Sequence, residues 1–191
     1  MAVHASPDAS LCSALRLVCA FAVTETAAAS PAPRRAVRFY WEDFPVHQTR
    51  EFGHYLVTRQ AVLDFARQFD PQPFHLDDAA AEQSLFGKLA ASGWHTCAMA
   101  MRMICDEYLL DSASLGSPGI ERLAWPNPVF PGDTLRMRST VVAARVLASR
   151  TAVGLVRTRS EVLNQREEIV LTMEGAGFFD RRHAAAPAPK A

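Results

Sequence analysis

The sequence predicts an α+β domain in which an antiparallel sheet curls round one buried helix. Three observations carry this. The stretch from Ser92 to Leu110 is apolar almost all round, with charges only at Arg102, Asp106 and Glu107, which marks a helix covered on most sides. After Pro118 the chain reads as strand, and Leu135, Met137, Ser139 and Val141 alternate with Arg136, Arg138 and Thr140. The order is one short strand, then helices, then several long strands.

The elements follow in turn. Glu51 to Val57 reads as the short strand. Thr58 is placed to cap a helix whose apolar stripe is Val62, Phe65, Ala66 and Phe69. Asp70-Pro71-Gln72-Pro73 ends it, because proline lacks a donor and biases its predecessor away from helix. Asp77 or Asp78 caps a second helix running through Phe86, and Gly87 stops it. Met99, Met101 and Met103, with Ala98 and Ala100, give the long helix small and adaptable contacts for packing on a curved surface. Pro131-Gly132-Asp133 is a turn. Ala152 to Leu163 is a strand, followed by a turn near Asn164-Gln165. Ile169, Leu171 and Met173 alternate with Val170, Thr172 and Glu174, and Gly175 and Gly177 let the last strand bend.

Composition narrows the function. Of 191 residues, 49% are hydrophobic and 21% charged, which fits one folded domain with tails. Lys+Arg and Asp+Glu both total 20, so no global basic field exists to hold nucleic acid or an anionic membrane. Leu11 to Val23 is the longest apolar stretch; it is too short to span a bilayer and contains Arg16. With no Lys or Arg before it, it also makes a poor export signal. Residues 1–36, rich in Ala and Pro, read as a disordered or non-native extension, 37–182 as the domain, and 183–191 as a flexible tail. Cys12, Cys19, Cys97 and Cys105 form no CxxC or metal-ligand spacing, so a reducing cytoplasm is the expected setting.

The chemistry concentrates in Phe69-Asp70-Pro71-Gln72-Pro73-Phe74-His75-Leu76-Asp77. A carboxylate and an imidazole stand five residues apart in a proline-braced turn, placed to converge on one small molecule such as a water. Imidazole exchanges protons near neutrality, and a carboxylate can orient it or share the water. The bland alternative is a turn Asp and a capping His. Ser92-Gly93 adds weight: the first N–H groups of a helix lack internal partners and favour negative charge, and Gly lets a ligand come close. By itself Gly93 would read as helix-start packing. His95 reads as a helix-surface residue, and Trp94 as core or the floor of an acyl tunnel. Arg136, Arg138, Arg157 and Arg159 suit phosphate geometry, but a solvated strand face is the default for them. Asp106 and Glu107 read as solvent- or subunit-facing. No Gly-rich phosphate loop, Ser-His-Asp order or zinc ligand set is present.

These motifs resemble those of the MaoC-like dehydratases, the family of (R)-specific enoyl-CoA hydratases with a hotdog fold. Asp70-Pro71-Gln72-Pro73-Phe74-His75 is similar to the family's Asp-x-Asn-Pro-x-His motif, with Gln72 in place of Asn. Ser92-Gly93 has the family's offset from the His. Asn127-Pro128-Val129-Phe130-Pro131-Gly132-Asp133 resembles its Pro-Val-x-x-Gly-Asp turn. Some hydratases carry a Ser further along the helix, where this chain has only Thr96 and Tyr108 as hydroxyls. The resemblance implies Asp70 and His75 as the acid/base pair and the Gly93 amide as oxyanion donor, with Gln72, Phe74, Ser92 and Trp94 against the substrate. It implies reversible hydration of a 2-enoyl-CoA thioester, no metal, no cofactor beyond the substrate's own coenzyme A, and a homodimer or higher homo-oligomer. Which of Asp70 and His75 moves which proton stays open. An acyl-CoA thioesterase is the competing reading, since the fold does not fix the reaction; a catalytically silent acyl-binding subunit is a third.

Overall fold

The computed structural model describes residues 36–182. The expectations for the N-terminal extension, apart from Ala36, and for the C-terminal tail lie outside the described residues. Five strands form one antiparallel sheet: β1 (Thr49–Leu56), β2 (Ser114–Ala124), β3 (Thr134–Leu147), β4 (Arg150–Leu163) and β5 (Ile169–Asp180), in the order β1-β3-β4-β5-β2. Helix α1 (Arg59–Phe69), the short α2 (Asp78–Glu82) and the long α3 (Gly93–Glu107) fall between β1 and β2. The sheet wraps α3, the hotdog arrangement that the resemblance implies.

The β3 alternation sets the core. Leu135, Met137, Ser139 and Val141 all turn inward: Leu135 and Met137 meet Met99, Ala100 and Met103 of α3 in one apolar cluster with Val57, Val62 and Leu171, Ser139 bonds Ser160, and Val141 packs in a second cluster with Phe44, Val156 and Phe179. Each such side chain taken from water contributes about 1.5–3 kcal/mol. Where α3 crosses β1, a side chain on Gly53 would collide with Met103. Gly53 also holds φ at +87°, which only glycine adopts freely. The outward arginines pair with acids: Arg136 and Arg138 with Glu51, and Arg157 and Arg159 with Glu174. They form the solvated strand face expected by default, and such pairs add little stability.

Several local expectations need correction. Thr58 caps α1 through the Ala61 N–H, but Phe69 is exposed; it ends α1 beyond the edge of the core. Helix α2 stops at Glu82 rather than Phe86, because the Ser84 hydroxyl takes the Ala81 carbonyl and so competes with the next turn. Strand β2 begins at Ser114, ahead of Pro118. In β5 both Val170 and Leu171 are buried, since that end of the strand is covered on two faces.

Candidate active site

The segment 70–77 is held by its own backbone. The Asp70 N–H closes α1 on Ala66, Pro73–His75 forms a single 3₁₀ turn, and the Asp77 side chain caps α2. That turn buries the His75 ring, which is 4% exposed. His75 Nδ1 lies 2.8 Å from the Ala90 carbonyl oxygen. A carbonyl only accepts, so Nδ1 carries a proton, and it is Nε2 that bears the lone pair in the neutral form of the ring. Nε2 stands 3.6 Å from Asp70 Oδ2, too far for a direct hydrogen bond and close enough for one water to reach both.

Asp70 is tied from both sides. Ser92 Oγ donates to Oδ2 at 2.6 Å, and Gln72 Nε2 donates to Oδ1 at 2.8 Å. These bonds, Ser92 first, together with the nearby imidazole hold the carboxyl below its usual range, against the opposing effect of burial. Asp70 is therefore a carboxylate at neutral pH.

Ser92 has a second duty. Its Oγ accepts the Trp94 N–H at 3.2 Å as the N-cap of α3. The residue is 1% exposed, so its hydroxyl is committed to Asp70 and to the helix rather than held out to a ligand. Among the described residues nothing accepts the Gly93 N–H, which leaves it available at the positive end of α3.

Asp70, Gln72, Phe74, His75, Ser92, Gly93 and Trp94 all line one cleft of about 550 Å³. Phe74 stands edge-on to His75 at 4.6 Å, and Phe86 lies over the imidazole at 6.0 Å. Trp94 is neither core nor floor: it is 60% exposed and stands edge-on to Trp125 at the rim. His95 is the reverse case. It is 6% exposed and stacked on Phe65 at 4.7 Å, because α1 covers that flank of α3. Burial pulls its pKa down, and Nδ1 has no partner among the described residues.

Some of the wall escaped sequence reasoning. Leu85, Phe86 and Trp125 line the cleft, and the Ala90 carbonyl sets the His75 tautomer. None lies in a motif of chemical side chains. The only local signal is the Pro126/Pro128 pair beside Trp125. The turn 127–133 fixes the far wall: Ala91 N–H donates to Val129 O, and buried Asp133 accepts from the Phe130 N–H and from Gln165.

The MaoC like domain family matches residues 43–163. The solved MaoC-like dehydratase from Rhodospirillum rubrum is 41% identical, covers 76% of this chain and 99% of its own, and superposes with a TM-score of 0.71. A mesaconyl-CoA hydratase from Cereibacter sphaeroides is 46% identical over 65 residues, 34% of this chain but only 19% of that protein. The R-hydratase PhaJ1 from Pseudomonas aeruginosa shares the fold at 23% identity, with a TM-score of 0.58 over 80% of this chain and 94% of that one. With the motif residues gathered in one cleft and the match running over most of the domain, the chain belongs to the MaoC-like domain family and carries its hotdog fold.

Proposed function

We propose that this protein is an enoyl-CoA hydratase that adds water reversibly across the double bond of a 2-enoyl-CoA thioester. The observation that carries the reading is the 3.6 Å gap between His75 Nε2 and Asp70 Oδ2. A water that donates one hydrogen to each group keeps its oxygen lone pairs free to attack C3. Nε2 takes a proton from that water as the C3–O bond forms, and the double-bond electrons move toward the thioester carbonyl. The Gly93 N–H meets the negative charge that gathers on its oxygen. The imidazolium formed beside the Asp70 carboxylate then returns its proton to C2. One H and one OH are added and the pair ends as it began. Gln72 and Ser92 hold the carboxylate in place, while Phe74 and Trp94 flank the acyl thioester. The (R) hand at C3 is carried over from the R-hydratase neighbours.

We also place two copies in the active form. Strand β2 is a sheet edge, exposed along nearly its whole length, and it carries Leu115 and Ile120 to the surface. Unpaired edges of that kind invite a second strand. Purified protein mixed with crotonyl-CoA tests the activity. The reading predicts loss of enoyl absorbance without thiol release. Thiol release from saturated acyl-CoA, with no loss of enoyl absorbance, would select the thioesterase instead.

A further inference from the structure

A second hollow of about 280 Å³ lies between α3 and the sheet, lined by Met101 and Ile104 of the helix and by Gly116, Gly119, Gly175 and Gly177 of the strands. Among the described residues, no Lys, Arg, His, Asp or Glu lines it. At 100° per residue, Gly93, Cys97, Met101 and Ile104 fall within one arc of α3. The catalytic cleft and this hollow therefore lie in line on one helix face, with Gly93 and Met101 about 12 Å apart along the axis. Cys97, midway between them, lines neither.

Trp125 occupies that interval. A Cβ on Gly93 would stand 2.8 Å from Trp125 Cε2, so the indole rests on the bare backbone at the helix start. It lies beside the Cys97 thiol. Trp94 braces it edge-on at 5.6 Å. The ring is thus held on the path that an acyl tail would follow from the Gly93 amide to the apolar hollow.

Resting on the hydratase reading, we infer that Trp125 is the residue that sets acyl length: its indole closes the cleft from the hollow and restricts the protein to short acyl groups. Removing the ring joins the two spaces and admits a longer apolar tail.

The test is the affinity of butyryl-CoA and decanoyl-CoA, measured by titration calorimetry on the full chain. These saturated thioesters bind without being hydrated. The wild type should bind both within about threefold, since methylenes left in water add almost no affinity. Trp125→Ala should raise the affinity for decanoyl-CoA relative to butyryl-CoA at least about tenfold over the wild-type ratio, the effect of roughly two methylenes buried. Adding Met101→Trp should refill the hollow and cancel the gain. Trp125→Leu repeats the experiment if the alanine variant unfolds. A wild type that already prefers decanoyl-CoA tenfold, or folded Trp125 variants with no gain, overturns the gate. Absence of binding to either thioester overturns it together with the hydratase reading. A gate that behaves as stated in a protein unable to hydrate any enoyl-CoA leaves the gate standing and removes only the hydratase.

Discussion

The two hollows along α3 share one helix face and differ in every other respect. The cleft at the head of the helix holds a carboxylate, an imidazole, a free backbone amide and a buried hydroxyl, each with an assigned partner or an open valence. The hollow farther along holds no charge and is floored by glycine. Polar groups at a helix start are unsatisfied by construction, so chemistry collects there. Mid-helix backbone is already bonded, and only shape is left to tune. The head of α3 should therefore govern rate, and the middle of α3 should govern which acyl group fits.

The largest test of that contrast is at the head. Asp70→Asn keeps the size but removes the carboxylate and one of the two oxygens that accept from Ser92 and Gln72, and His75→Ala removes the imidazole. Each should lower turnover by roughly two to four decades, with much smaller changes in affinity for a saturated acyl-CoA. Gly93→Pro deletes the amide and should reduce turnover by about 10²–10³. Gly93→Ala keeps the donor but presses Trp125 outward; its effect should fall on acyl length more than on rate. Steady-state kinetics of circular-dichroism-verified variants read all four.

Ser92→Ala should act on both stability and pH. Losing the cap costs about 1 kcal/mol, seen as a lower Tm. Losing the bond that holds Asp70 in its ionised form raises the Asp70 pKa, so the acidic limb of the rate profile should move to higher pH. The stability that Asp70 gains from its depressed pKa is present above the unfolded carboxylate range. It is lost as pH falls through the folded value.

These head-of-helix residues were also the ones legible in the sequence. Asp70 and His75 share one short segment braced by Pro71 and Pro73, and Ser92-Gly93 announces a helix start, so local chemistry sufficed. The β3 alternation gave the inward face correctly. What the sequence hid was convergence between distant segments. Trp125 follows the last residue of β2, far in sequence from Gly93, and no periodicity links them. The ring positions of Trp94 and His95 were exchanged for the same reason: a helix apolar all round offers no pattern to say that α1 covers one flank and leaves the next one open.

His95 supplies a smaller test. Its folded pKa is depressed by burial, so above about pH 6.5 the ring is neutral in both states and carries no pH-linked cost. Below that, the unfolded chain takes a proton that the buried ring declines, and stability falls. His95→Phe, which keeps the stack on Phe65, should flatten the decline in Tm between about pH 6.5 and pH 5. Smallest in effect on chemistry, Ile120→Lys on the β2 edge should shift light scattering from about twice 21 kDa toward 21 kDa. A wild type that is already a monomer at micromolar concentration would contradict the two-copy form.

The measurement closest to the central claim is the double-mutant cycle on Asp70 and His75, read as crotonyl-CoA hydration. If the two groups hold one water, Asp70→Asn/His75→Ala should be little worse than the worse single variant, because residues that act as a unit are strongly non-additive. Losses that multiply, or near-wild-type turnover in either single variant, would contradict a shared water and leave the 70–77 turn with a structural role alone.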